Sequence, residues 1–307
     1  MRFHTTGKIT DGFHVAGSAA VPVYVVNGET PILFDAGFTA LQHHYIAHIR
    51  KILDKRPPAF LFITHAHFDH VGAAGYLKSQ WPDMKIMASS QCRDILERPG
   101  ALSVISELNR QGINSLRTWG VTGASEAPFI PVDIDLVVAP DTTLRVAPDL
   151  SVNTIHTPGH TRDFNSYWIP ERRILIASEA VGCDDGTGGI QTEFLVDYDA
   201  YIEGLHRLKA LRPEVLCPGH RLVVTGSDVD DYFQRALSST LHFFKTVTRI
   251  LGEEHGEVEP TIERIKTLTW DNRPLPKQPE QAYILNTRQR VMTIKSRISG
   301  PASGRIE

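Results

Sequence analysis

Cysteine is scarce: Cys92, Cys183 and Cys217 are the only three in 307 residues, odd in number and far apart. That excludes a disulfide framework or a cysteine zinc ribbon and suits reduced thiols, so a cytoplasmic location is the expectation. Charge of one sign is lacking too, the formal net value being -3, which leaves no field to attract nucleic acid or an anionic membrane surface. Long apolar runs are missing. No stretch approaches the roughly 18 residues that a membrane helix needs. The nearest approach to a secretory core, within residues 15–26, is broken by Pro22 and reads better as buried strand. Internal repeats and low-complexity segments are absent as well. A small-molecule substrate is therefore the expected partner, with no nucleic acid and no membrane. What the chain does contain is 14 His, so the question is where the imidazoles gather.

The segments PVYVV, the turn dipeptide Asn27-Gly28 and TPILFDAG read as strand, hairpin and strand. Leu41, Tyr45, Ile49 and Ile52 recur at helical spacing over residues 40–53, and Pro57-Pro58 stop that helix before the strand AFLFIT. THAHFDHVGAAGYL passes from loop to helix, and the strand KIMAS precedes a helix from about Gln91. Across residues 100–140, Gly112, Gly120, Gly123, Pro128 and Pro131 mark a less regular insertion with the composition of a lid or a dimer contact. Four β-rich runs follow, DTTLRVAP, LSVNTIHTPGHT, FNSYWIP and RRILIASEA, with Pro170-Glu171 as a hairpin turn. A helix over 198–211 and a strand VLC come next, the strand ending on Pro218-Gly219-His220. Beyond Ser227 each segment has helical spacing and no strand intervenes. The pattern predicts a mixed unit over residues 1–226 and a helical extension over 227–307, the last six or seven residues frayed.

The chemistry concentrates in Thr64-His65-Ala66-His67-Phe68-Asp69-His70, which puts three imidazoles and a carboxylate within six residues directly after an apolar strand. A loop leaving a strand tip can fold several side chains back onto one point, and imidazole with carboxylate is a donor set that suits Zn²⁺ or Fe²⁺. HxHxDH after a strand resembles the first metal motif of the metallo-β-lactamase superfamily, in its glyoxalase II form. Three further stretches fall in the family's order: Thr157-Pro158-Gly159-His160-Thr161, Ser178-Glu179-Ala180 and Cys217-Pro218-Gly219-His220. The resemblance covers roughly residues 15–225.

That resemblance implies an α/β (α+β) fold, a four-layer αββα sandwich with a helical C-terminal extension. It implies that His65, His67 and His160 hold one divalent metal ion, that Asp69, His70 and His220 hold a second, and that Glu179 bridges the two, with zinc expected and iron or manganese as alternatives. Asp35, ending the strand ILFD, and Thr64 would orient ligands rather than bind metal. Most of the family has Asp where this chain has Glu179, one methylene longer, so Asp184 and Asp185 stay open as alternative carboxylates. Two such cations lower the pKa of a shared water and need no serine or cysteine nucleophile, and the chain has no GxSxG elbow.

The implied function is a metal-dependent hydrolase using metal-bound hydroxide on an ester, thioester or related acyl substrate, with Asp69 catalytic as well as ligating. Two alternatives accompany it. One is a mononuclear-iron, persulfide dioxygenase-like oxidoreductase using His65, His160 and residue 179; the other is a signalling effector with a thioesterase-like site. Arg162 and Asp163, just behind His160, are candidate substrate contacts. On one tail helix Arg288 and Arg290, with Tyr283 and Asn286, are candidates to meet an anionic substrate. A homodimer is the remaining partner expectation.

Overall fold

The computed structural model describes residues 1–274 and 277–299; the expected fraying at the C-terminus lies outside them. The chain opens with β1 (Arg2–Phe3) and then lays down β2 (Gly7–Thr10), β3 (Phe13–Ser18), β4 (Val21–Val26), β5 (Ile32–Phe34), β6 (Phe60–Phe62), β7 (Lys85–Ala88) and β8 (Leu136–Val137) side by side in sequence order. Pairing is antiparallel from β2 to β5 and parallel from β5 to β8. The crossovers carry α1 (Gln42–Ile52), α2 (Phe68–Val71), α3 (Ala74–Gln80), α4 (Ser90–Leu96) and α5 (Pro99–Thr118).

The second sheet contains β9 (Thr143–Ala147), β10 (Leu150–His156), β11 (Asn165–Ile169), β12 (Ile174–Asp184), β13 (Ile190–Gln191), β14 (Val215–Gly219) and β15 (Val223–Thr225). Its spatial order is β1-β15-β14-β12-β11-β10-β9, with β13 on β12. Four helices belong to this half: α6 (Tyr198–Ala210), α7 (Asp228–Glu253), α8 (Val258–Lys266) and α9 (Glu280–Ser299).

Alternation along the strands decides the layering, because successive side chains leave a strand on opposite faces. In β5, Ile32 and Phe34 enter the core between the sheets while Leu33 packs under α1, α3 and α5. In β12, Ile174 and Ile176 face that same inter-sheet core, whereas Leu175 and Ala177 face α6, α7 and α9. Three apolar layers thus separate helix, sheet, sheet and helix, giving the αββα sandwich. Beneath the ends of β5 and β6 the rings of Phe34, Phe62 and Tyr167 lie 5.2–5.5 Å apart, each burial being worth about 1.5–3 kcal/mol. Tyr167 also donates to the Ile63 carbonyl at 2.7 Å. This cluster anchors the two strands whose next residues begin the site.

Residues of α7, α8 and α9 share one apolar cluster with α6 and the outer face of the second sheet. Among the described residues the helical extension has no separate core; it completes the fourth layer of the sandwich. In the first layer, the opening part of the irregular insertion expected over residues 100–140 is the 20-residue helix α5. Pro99 opens it at the first position, where a missing N–H costs nothing. Gly112 is a site of close approach: a Cβ there would lie 2.2 Å from the Phe38 ring. Only the stretch after Thr118 is irregular, and Trp119, Val121, Phe129 and Val132 of that stretch pack on the first helix layer. The strands β1, β2, β8, β13 and β15 were not evident in the sequence, and the buried strand expected within residues 15–26 is divided between β3 and β4.

Candidate metal centre

The chemistry-bearing residues leave the C-terminal ends of strands on one edge of the sandwich. Asp35 follows β5, Thr64 and His65 follow β6, Asp69 and His70 ride on the single turn of α2, His160 lies in the turn after β10, and His220 follows β14. Glu179 stands inside β12, where the pairing with β14 shifts register around Ser178. Backbone strain gathers here: Asp35, Ser178 and His220 have φ of 56°, 46° and 54°, a region that costs non-glycine residues about 1–3 kcal/mol. Gly219 is small because Glu179 needs the space; a Cβ there would meet Glu179 Oε1 at 2.9 Å and Cys183 Sγ at 2.6 Å.

The side chains form three overlapping groups whose ligand atoms lie within 4.8 Å of one another: His65, His67 and His160; His65, His70 and Glu179; Asp69, His70 and His220. Glu179 joins them. Its Oε1 is 3.2 Å from His70 Nε2 and 2.9 Å from His220 Nε2, and its Oε2 is 4.0 Å from His65 Nε2. Asp69 Oδ2 is 3.2 Å from His220 Nε2. His67 Nδ1 and His160 Nε2 face each other at 3.2 Å.

Four imidazoles have Nδ1 engaged on the outward side. His160 Nδ1 donates to the Glu193 carbonyl at 2.6 Å and His220 Nδ1 to the Ala20 carbonyl at 3.0 Å. His70 Nδ1 donates to Asp35 Oδ2 at 2.8 Å. The Thr64 hydroxyl donates to Asp35 and so receives His65 Nδ1 at 3.0 Å. Every Nε2 is thereby turned inward, the arrangement that outer partners impose on metal-ligating histidines. His65 Nε2 is buried with no hydrogen-bond partner, a position an isolated acceptor does not hold without cost. The inward-facing nitrogens and carboxylates fit divalent metal ions.

Electrostatics divides the two clusters. Burial, together with the neighbouring His70 and His67, pushes His65 well below the usual imidazole range. Burial and His67 take His160 down to about 3. On the other side, burial opposes the charge on His70, but Glu179, Asp35 and Asp69 outweigh it and hold the imidazole well up. His220 is held up at about 10 against burial by its hydrogen bonds to Asp69 and Glu179. The first cluster offers neutral nitrogen lone pairs; the second concentrates negative charge that must be met by protons or by a cation.

Other expected residues are placed differently. Asp163, a candidate substrate contact, is buried and accepts the Ala66 N–H at 2.8 Å, fixing the histidine loop from behind. Arg162 is exposed. Asp184 and Asp185 stay out of the clusters: Asp184 accepts from Gly186 N, while Asp185 accepts from Thr187 N and Gly189 N and pairs with Arg273 at 3.3 Å. Arg290 does not face a substrate. It is 1% exposed and donates to the Thr192 carbonyl at 2.7 Å.

Thr293 holds the Leu195 carbonyl at 2.8 Å, and Thr240 meets the Thr192 hydroxyl at 2.9 Å. The tail helices thus grip the strap 192–195 that carries the His160 acceptor. Sequence reasoning missed the Glu193 and Ala20 carbonyls and this grip, since backbone acceptors leave no residue-type signal.

Fold and centre together define the class: a two-sheet sandwich with a histidine-rich metal-binding centre at one edge. Residues 17–220 match the model of the metallo-beta-lactamase superfamily, and the chain belongs to that superfamily. It is similar to a probable metallo-hydrolase of Bacillus subtilis, YqgX, at 24% identity over 208 residues, covering 66% of this chain and 82% of that protein. A metallo-beta-lactamase fold-containing protein of Sulfurisphaera tokodaii, ST1585, is 26% identical over 221 residues, 70% of this chain and 78% of that one. Among solved structures, a metallo-beta-lactamase family protein of Thermus thermophilus superposes with a TM-score of 0.64 at 15% identity, covering 95% of each chain; that likeness concerns the fold. Among the described residues no helix is long and apolar enough to cross a membrane.

Proposed function

We propose that the chain is a metal-dependent hydrolase that opens an ester, thioester or related acyl bond of a small-molecule substrate. The observation that carries the reading is Glu179, whose carboxylate meets both ligand clusters at once, as the holding of two neighbouring divalent cations requires. Zinc is the first candidate for both, with iron and manganese behind it. Bound there, such ions would supply a water of lowered pKa and a Lewis acid for the substrate oxygen.

The chain's own residues account for the remainder. Burial alone would raise the Asp69 carboxyl, but the charge of His70 and the hydrogen bond from His220 hold it at about 2. The lowered value keeps Asp69 ionised, an acceptor that would help hold a cation and orient an attacking water by a hydrogen bond from that water. A thiolate leaving group needs proton donation least. Asp35, Thr64 and the Glu193 carbonyl keep the imidazoles aimed. Cys92 and Cys217 are no rival nucleophiles, since burial drives both thiols well up, away from the thiolate. The name of the Bacillus relative, a probable metallo-hydrolase, agrees with the reading.

Metal analysis on protein purified without added zinc, followed by a panel of acyl thioesters, is the test. Two equivalents of metal and turnover abolished by Asp69→Ala are expected. Full metal occupancy with no hydrolysis across the panel would refute the reading and leave the signalling effector. Oxygen uptake with glutathione persulfide on the iron-loaded protein would replace hydrolysis by the dioxygenase-like reaction.

A further inference from the structure

His220 and the residue after it, Arg221, are consecutive and both left-handed, with φ of 54° and 61°. Glycine is the default at such positions, and a bulky side chain there is strained. The strain is held from three directions: Arg221 N donates to the Ala19 carbonyl at 2.6 Å, His4 Nδ1 meets the Arg221 carbonyl at 3.1 Å, and His220 Nδ1 reaches the Ala20 carbonyl. One strained residue delivers an imidazole to the metal centre. The next delivers a guanidinium 5.1 Å from the centroid of the Trp119 ring, within the wall of a cleft of about 510 Å³.

Among the described residues, Arg221 is the one formally charged side chain lining that cleft; imidazoles of His4 and His44 and hydroxyls of Ser18 and Thr122, among others, add polar atoms, and no Asp or Glu lines it. In a chain whose net charge is -3, a carboxylate-free cleft with an arginine on an indole face complements an anion attached to an apolar stem. The guanidinium supplies charge-assisted hydrogen bonds and the ring supplies contact area. Adjacent Cα atoms are about 3.8 Å apart, so the cleft begins one residue away from a ligand of the proposed centre.

We propose that this cleft is the specificity subsite of the enzyme: it takes the carboxylate- or phosphate-bearing end of an acyl substrate, with Arg221 on Trp119 as the recognition pair. The inference rests on the hydrolase reading for the identity of the bound molecule, and its test separates the two. Two esters of p-nitrophenol with the same five-carbon acyl chain are compared on the zinc-loaded protein. The glutarate monoester ends in a carboxylate and the pentanoate in a methyl group. In parallel, the binding of free glutarate and of inorganic phosphate to the same protein is followed by calorimetry.

The expected result is a kcat/KM for the glutarate ester at least roughly tenfold above that for the pentanoate, carried in KM, as one charge-assisted contact allows. Arg221→Gln brings that ratio close to one and Arg221→Lys restores part of it. Trp119→Phe provides a second variant that weakens the stacked face while keeping an aromatic ring, and all rates are referred to measured metal content. Hydrolysis of both esters with no preference for glutarate, unchanged by Arg221→Gln, would overturn the subsite and leave the hydrolase standing. If neither ester is cleaved, the binding arm decides: glutarate or phosphate retained by the parent protein and lost in Arg221→Gln supports the cleft while the hydrolase reading fails, and no binding overturns the cleft as well.

Discussion

Asp35→Asn isolates what one outer carboxylate does for the centre. Asp35 Oδ1 accepts the Thr64 N–H at 2.8 Å, and Oδ2 accepts His70 Nδ1 at 2.8 Å, while the Thr64 hydroxyl bridges to both oxygens at 3.0 Å. Asparagine is nearly isosteric and tolerates the φ of 56° found at this position, so the backbone is not strained further. Its carbonyl retains the Thr64 N–H, which leaves the amide NH₂ facing His70. Two donors then confront each other, and His70 relieves the clash by moving its proton from Nδ1 to Nε2, pointing N–H at the place where a lone pair is needed.

Losing a partner of this kind weakens metal binding about 10- to 100-fold, or about 1.4–2.7 kcal/mol. Loss of the charged hydrogen bond removes about 1.5–3 kcal/mol of folding stability. The weakening should be selective. His65 and His160 keep their outer partners, Thr64 and the Glu193 carbonyl, so the Asp69, His70 and His220 cluster weakens and the other does not. Competition against a chromophoric zinc chelator, resolving two binding steps, reads this out. Equal affinities in parent and variant for both steps would refute the role assigned to Asp35, and equal loss at both would refute its selectivity.

Three further outcomes follow from the same geometry. His65→Ala or His160→Ala should lower metal content while circular dichroism stays that of the folded protein; full stoichiometry in both variants would remove the site assignment. Arg290→Met, uncharged and unbranched, leaves the Thr192 carbonyl without its donor, costs about 1–3 kcal/mol and weakens metal retention at the His160 cluster. Thermal unfolding and chelator competition check it, and a stability loss with unaltered metal affinity would confine Arg290 to packing. His48, away from the centre, accepts the Gly17 N–H on Nδ1 at 3.1 Å, and burial, His44 and Lys51 push its imidazole below the ordinary 6.5. A lowered folded value means that the neutral form stabilises the fold above pH 6.5 and that this contribution fades as the pH falls through the folded value. An NMR titration of His48 at or above 6.5 would contradict the bond.

The parts of the centre that could be read from sequence are those that one short segment supplies. Thr64 to His70 needs only a strand and a turn to converge, so its four candidate ligands were visible in one line, while Asp35 and His220 were singled out by the family resemblance, which expects a residue of this kind at the tips of those strands. Regularity was lost where a residue type has two uses. Gly112 looks like punctuation, yet it serves a helix crossing against Phe38, and α5 was hidden by it. Arg290 looks like a surface cation on an amphipathic helix, yet a contact with Thr192, 98 residues away, turns it inward; nothing local distinguishes the two.

Glu179 joins both kinds of reasoning. Its type alone left open whether the longer side chain joins the clusters or loosens one of them, because the answer depends on how far back the backbone sits. Beside the register shift at Ser178, and with no side chain at Gly219, the carboxylate lies between His65, His70 and His220. A shorter Asp on the same backbone would fall short of that position, and a larger residue at 219 would occupy it. The Glu and the Gly therefore form a matched pair: Gly219→Ala should disturb the centre as much as a change at Glu179, although residue 219 itself presents no ligand.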